Sequence, residues 1–150
     1  MNKSPVVIAS DHAAYQLKEK IKLFLIENGI AVEDAGVHDE GSVDYPDYGI
    51  KVASLVSAGK FDRGILLCGT GIGMSMVANR FSNVRAALCN DVFSAIMSRR
   101  HNDSNVLVMG GRLIGDVLAI EILKAWLETP FEGGRHQKRI DKFNNTGRNV

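Results

Sequence analysis

Cys68 closes the apolar run Gly64–Cys68 and stands directly before glycines at 69, 71 and 73. A thiol acts as base or nucleophile only as its thiolate, a form stabilised where a helix begins. Alternate glycines let backbone N–H groups converge on an anion, either a bound phosphate or a charge that develops during a reaction. The dinucleotide fingerprint would need a third glycine at 74, where Met74 stands, although Asp91 lies about as far on as that motif's ribose-binding acid. No Lys-Ser/Thr pair follows to make a P-loop. Cys68 has no second cysteine at C-x-x-C distance, which argues against a dithiol redox centre. Cys89 has no comparable loop and reads as structural.

Other candidates sit at similar junctions. Ser10, Asp11 and His12 end one apolar run, and Gly110, Gly111 and Arg112 end another. Arg100, His101 and Asn102 close a helical stretch, while Arg135 and Arg139 are four apart and so share a helical face. Histidines and cysteines without close His or Cys partners make a poor metal set, which favours acid–base roles and no metal. A thiolate, an anion cradle, histidines and phosphate-binding arginines together suit proton transfer beside the carbonyl of a sugar phosphate. A base takes the C2 proton, the cradle holds the enediolate oxygen, and the proton returns at C1. A non-catalytic nucleotide-binding module and a thiol-redox protein are the rivals from other classes.

These residues have to be positioned by an alternation of elements. "PVVIAS" reads as a buried strand and "DHAAYQLKEKIKLFLIENG" as a helix with an apolar stripe. "IAVEDAG" is a second strand, followed by a helix from Asp44, a candidate N-cap, to Gly59. Then come "RGILLCG" (strand), "IGMSMVANR" (helix), "VRAALC" (strand), "DVFSAIMSRRHN" (helix), "SNVLVMGG" (strand) and "GDVLAIEILKAWLET" (helix). A helical tail is expected over about 131–150. Strict alternation with apolar strands predicts an α/β, Rossmann-like doubly wound domain with a five-stranded parallel sheet, one domain over 1–150. Ligands then sit at the carboxyl ends of the strands. His101 and Asn102, ending a helix, fall on the opposite side and point to a neighbouring chain's pocket.

The 150 residues carry 18 Lys and Arg against 17 Asp and Glu, so no global charge argues for nucleic acid or a membrane surface. Basic residues do gather in the tail, at Arg135, Lys138, Arg139, Lys142 and Arg148. Two cysteines do not make a disulfide scaffold, and the first residues lack a signal-peptide apolar run, so a cytoplasmic setting is expected.

The stretches "SDHAA" (10–14), "DYPDY" (44–48), "CGTGIG" (68–73), "RRHNDSNVLVMGGR" (99–112) and "GGRHQKRI" (133–140) resemble, in order and over nearly the whole chain, ribose-5-phosphate isomerase of the B type. The resemblance implies interconversion of ribose 5-phosphate and ribulose 5-phosphate with no cofactor or metal. It makes Cys68 the base, and Thr70 a residue that positions the sugar or opens its ring. The backbone of Gly69, Thr70, Gly71, Ile72 and Gly73 becomes the anion hole. His101 would open the furanose ring with help from Asp11, and Asn102 would hold sugar hydroxyls. His12, Arg112, Arg135 and Arg139 would hold the phosphate, and Tyr45 would line the pocket. The same resemblance implies a homodimer with shared sites, or a tetramer of two such dimers. Allose 6-phosphate or galactose 6-phosphate is the alternative substrate.

Overall fold

The computed structural model describes residues 3–144, 146 and 147. Its strands are β1 (Val6–Ser10), β2 (Val32–Asp34), β3 (Arg63–Cys68), β4 (Ala86–Leu88) and β5 (Val106–Gly110). Its helices are α1 (Tyr15–Glu27), α2 (Tyr45–Ser57), α3 (Ile72–Ala78), α4 (Val92–Asn102), α5 (Asp116–Glu128) and α6 (Arg135–Asn144). The strands form one parallel five-stranded sheet in the order β2-β1-β3-β5-β4.

Side chains alternate across the central strands, and each face builds its own core. Ile8, Ile65, Leu67, Leu107 and Met109 pack with Leu17, Ile21 and Leu25 of α1 and with Ile122, Leu123 and Trp126 of α5. Val7, Ala9, Leu66, Cys68 and Val108 pack with Val52, Ala53 and Val56 of α2 and with Met74 and Ala78 of α3. Burial on both faces explains why β1, β3 and β5 read as unbroken apolar runs. The predicted doubly wound sheet is therefore what forms. Among the described residues no helix is long and apolar enough to cross a membrane.

From β1 the chain passes to β2 on one side, then crosses to β3 on the other. Where strand order reverses, the loops diverge and leave a crevice outside the carboxyl ends of β1 and β3. In the register, Ser10 pairs with Leu67 and Cys68 with Gly110, so "SDH", "CGTGIG" and "MGGR" end side by side.

Several expected boundaries shift. The two sheet-edge strands are short: β2 stops at Asp34 and β4 holds only Ala86–Leu88. Each pairs on one side alone, so the ladder ends where its single neighbour turns away. Asp44 occupies the N-cap of α2 without a side-chain bond; its carbonyl instead accepts from Asp47 N at 3.2 Å. Of the expected tail, the described helix spans Arg135–Asn144, and Gly133 and Gly134 both take positive φ just before it. Arg148 and residues 145, 149 and 150 lie outside the described residues.

A buried charge cluster ties α1 to β2. Lys18, fully buried, bonds Asp34 at 2.6 Å and Glu19 at 2.9 Å, and Lys22 reaches Asp34 at 2.6 Å. Burial pushes the Asp34 carboxyl up, but the two ammoniums and the Gly36 amide outweigh it and hold the group at about 2.

Candidate active site

The loop after β3 folds back on its own cysteine. Gly71 takes φ +79, a left-handed conformation that favours glycine, and this turns its amide onto Cys68 Sγ at 3.1 Å. An N–H aimed at sulfur suits a thiolate acceptor. Ile72 N donates to Thr70 Oγ1 at 3.2 Å. Two of the five cradle amides are thus engaged within the loop, and Gly69, Thr70 and Gly73 supply the others. Cys68 itself is buried, with its Sγ on the α2–α3 side of the sheet.

Neighbouring elements hold the loop by close approach. A Cβ on Gly110 would lie 2.6 Å from the carbonyl oxygen of Thr70, so β5 fits against the loop only with glycine there. On the other side, a Cβ on Gly73 would lie 2.5 Å from the ring of Tyr45, which places that ring directly over the start of α3. Gly111 N donates to Cys68 O at 2.8 Å and Arg112 N to Gly69 O at 2.9 Å. The Arg112 side chain consequently runs beside Gly69, where an added Cβ would be 3.4 Å from its Cδ.

The end of β1 completes this group. Asp11 N donates to Leu67 O at 3.1 Å, and Asp11 Oδ1 accepts from Ala14 N at 3.2 Å, capping the 3-10 turn His12–Ala14 that leads into α1. His12 Nδ1 accepts from Val43 N at 3.2 Å, so the neutral ring carries its proton on Nε2. Asp11, His12, Tyr45, Cys68, the glycine loop and Arg112 therefore gather at the carboxyl ends of β1, β3 and β5. Asp91 belongs elsewhere: it caps α4 by accepting from Ser94 N and Ser94 Oγ, both at 2.7 Å, and these bonds lower its pKa. Cys89 stays inert, since burial pushes its thiol up to about 11.

The remaining candidates form a second group. Helix α4 runs back along the sheet, so His101 and Asn102 lie toward the amino ends of the strands, away from Cys68. Asn102 lines a cleft of about 1000 Å³ with Arg80, Arg85 and Phe143. His101 meets the start of α6: its ring stacks on His136 with centroids 4.3 Å apart and planes 12° from parallel. Arg135 and Arg139 flank His136 on the same helix and, with burial and His101, lower its pKa, burial being the largest cause. Within one chain, His101 and Asp11, its expected helper, therefore lie in separate groups.

Sequence reasoning assigned no role to His136 or Glu132, although His136 lies within the stretch "GGRHQKRI" and Glu132 directly precedes it. Glu132 Oε2 lies 3.4 Å from His136 Nε2. The available signal was the i,i+4 spacing of these two residues. His101, Glu132 and His136 offer ligand atoms within 4.8 Å of one another. The arrangement is a stack and does not fit a chelate. Imidazole lone pairs lie in the ring plane, so two stacked rings 12° from parallel, with centroids 4.3 Å apart, aim their lone pairs side by side and not at a common point.

Comparison with known proteins points one way. Residues 6–143 match the family model described as Ribose/Galactose Isomerase. Ribose-5-phosphate isomerase B of Escherichia coli is 45% identical over 136 residues, covering 91% of each chain. A ribose 5-phosphate isomerase from Thermotoga maritima superposes with a TM-score of 0.93 at 52% identity, covering 95% of this chain and 99% of its own. Ribose-5-phosphate isomerase B from Mycoplasma genitalium, solved with bound ribulose 5-phosphate, has a TM-score of 0.93 at 38% identity, covering 97% of each chain.

Proposed function

The chain belongs to the ribose/galactose isomerase family, and from that premise we propose that it interconverts ribose 5-phosphate and ribulose 5-phosphate. It is a sugar-phosphate aldose–ketose isomerase. The observation that carries the mechanism is the buried Cys68 sulfur at the start of the glycine loop, 3.1 Å from the Gly71 amide.

The open-chain aldehyde lies over the loop, and the Cys68 thiolate takes the proton from C2. Charge passes to O1, where the remaining loop amides stabilise the enediolate. The thiol returns the proton to C1, and the O2 proton moves to O1, leaving the C2 ketone. Thr70 and Tyr45 position the sugar, and His12 and Arg112 receive the phosphate. Before this, the furanose ring must open. His101 exchanges protons with the ring and anomeric oxygens, with Asp11 assisting, Asn102 on the sugar hydroxyls, and Arg135 and Arg139 on the phosphate.

These two sets lie at opposite ends of one chain, which favours a homodimer in which each pocket combines the Cys68 half of one copy with the His101 half of the other. Free Cys68 and Cys89 fit a reducing cytoplasm, where the enzyme serves pentose phosphate metabolism. Bound ribulose 5-phosphate in the Mycoplasma genitalium relative favours a five-carbon substrate over allose 6-phosphate or galactose 6-phosphate. The test is ketose formation from all three sugars in the presence of a chelator. Ribose 5-phosphate should be turned over fastest, while preference for a six-carbon sugar, or no turnover, would overturn the assignment.

A further inference from the structure

His101 carries the ring-opening step in the reading above, yet nothing in that reading explains what holds its imidazole. At the end of α4 the ring is only partly covered, and it stacks on the His136 ring, centroids 4.3 Å apart and planes 12° from parallel. His136 is itself 5% exposed and fixed from several sides. Its backbone N donates to Gly133 O at 3.1 Å, and its Nε2 faces Glu132 Oε2 at 3.4 Å. Glu132 is anchored in turn to α4: its N donates to Arg100 O at 3.1 Å, and its carboxylate lies 3.8 Å from Arg100 Nε. The chain of contacts runs from α4 through Glu132 and His136 back to His101 on α4, a closed loop that leaves His101 little rotational freedom.

We propose that His136 is a positioning residue for His101, acting on opening and closing of the sugar ring and not on proton transfer between C2 and C1. Its stacked face sets the plane in which His101 presents its nitrogens. The charged groups around His136 are His101, Arg135, Arg139, Glu132 and, through Glu132, Arg100. Burial first, then His101 and the two arginines, disfavour its protonated form against the pull of Glu132. A neutral ring does not oppose the positive charge His101 takes up while relaying a proton, and its π face attracts that charge.

The inference rests on the assignment of ring opening to His101, and the substrate pair separates the two ideas. Ribose 5-phosphate closes to a furanose through O4. Ribulose 5-phosphate has its 5-hydroxyl esterified and stays open-chain, so exchange of its C1 hydrogen with D2O needs the enediolate but no ring opening. His136→Ala should lower turnover of ribose 5-phosphate about tenfold or more, leave C1 exchange within about threefold, and flatten the acid limb of the ribose 5-phosphate pH profile. His136→Phe, which keeps a flat ring, should restore most of the turnover. If His136→Ala does not fold, His136→Gln gives the same readout.

Equal loss of both activities, or of neither, overturns the proposal. His101→Asn run alongside shows which idea has failed. A split for His101→Asn without one for His136→Ala removes only the positioning role. No split for His101→Asn removes the ring-opening assignment and this proposal with it.

Discussion

One methyl group on Gly110 tests whether the position of the glycine loop sets the rate. A Cβ there would lie 2.6 Å from Thr70 O, 2.7 Å from its carbonyl carbon and 2.9 Å from its Cα. Ordinary contacts begin near 3.5 Å, so loop and strand must part by about 1 Å. The obstructing atoms are backbone, which no rotamer change can clear. Gly110 is not among the glycines with positive φ, so the effect of Gly110→Ala is steric and not torsional. Overpacking of this kind costs about 1–3 kcal/mol, or roughly 2–12 °C in Tm for a domain of this size. A displacement of about 1 Å at the reacting centre costs on the order of a hundredfold in kcat. The assay is ketose formation from ribose 5-phosphate, with Tm by calorimetry. Gly59→Ala is the control: Gly59, unlike Gly110, has φ +72 but nothing within 4 Å, so the variant should lose stability and keep kcat. A Gly110→Ala enzyme within about threefold of wild-type kcat would refute the claim that close packing of β5 on Thr70 holds the catalytic geometry.

Two other perturbations probe different levels of the account. Cys68→Ala and His101→Asn chains should each be nearly inactive, yet co-refolding them in equal amounts should restore about a quarter of wild-type activity, because half the dimers carry one intact site; no recovery would remove the shared pocket. The Asp34 pKa, about 2 when folded against 3.8 as its ordinary value, means that its contribution to stability is complete above pH 4 and lost as pH falls through 2. Asp34→Asn leaves the buried Lys18 with Glu19 as its one remaining ion-pair partner among the described residues, and should cost about 3 kcal/mol at pH 7 but much less near pH 2, read from urea midpoints. An equal loss at both pH values would detach the effect from that charge pair.

What could be read from the sequence followed the strength of the local signal. β1, β3 and β5 are buried on both faces and advertise themselves as apolar runs; β2 and β4, paired on one side, are shorter than composition suggested. Cys68 and the glycines at 69, 71 and 73 were visible because their chemistry and conformation are local. The separation of His101 from Cys68 was also legible, since it follows from the direction of a helix between parallel strands. The stack of His101 on His136 was not. It joins two segments more than thirty residues apart, and no periodicity records which helix end meets which. The start of the tail helix was not legible either, because polar composition runs through the positive-φ pair Gly133–Gly134 with little apolar patterning to mark where the helix begins.

The central claim is that Cys68 moves the proton between C2 and C1. The direct measurement is loss of the C2 hydrogen of ribose 5-phosphate and C1 exchange of ribulose 5-phosphate in D2O, followed by NMR for wild type and Cys68→Ala, with ribose 5-phosphate affinity measured on both. The account predicts that both exchange reactions fall by about a hundredfold or more in the variant, with affinity nearly unchanged. Exchange at wild-type rates in Cys68→Ala would mean that another group is the base.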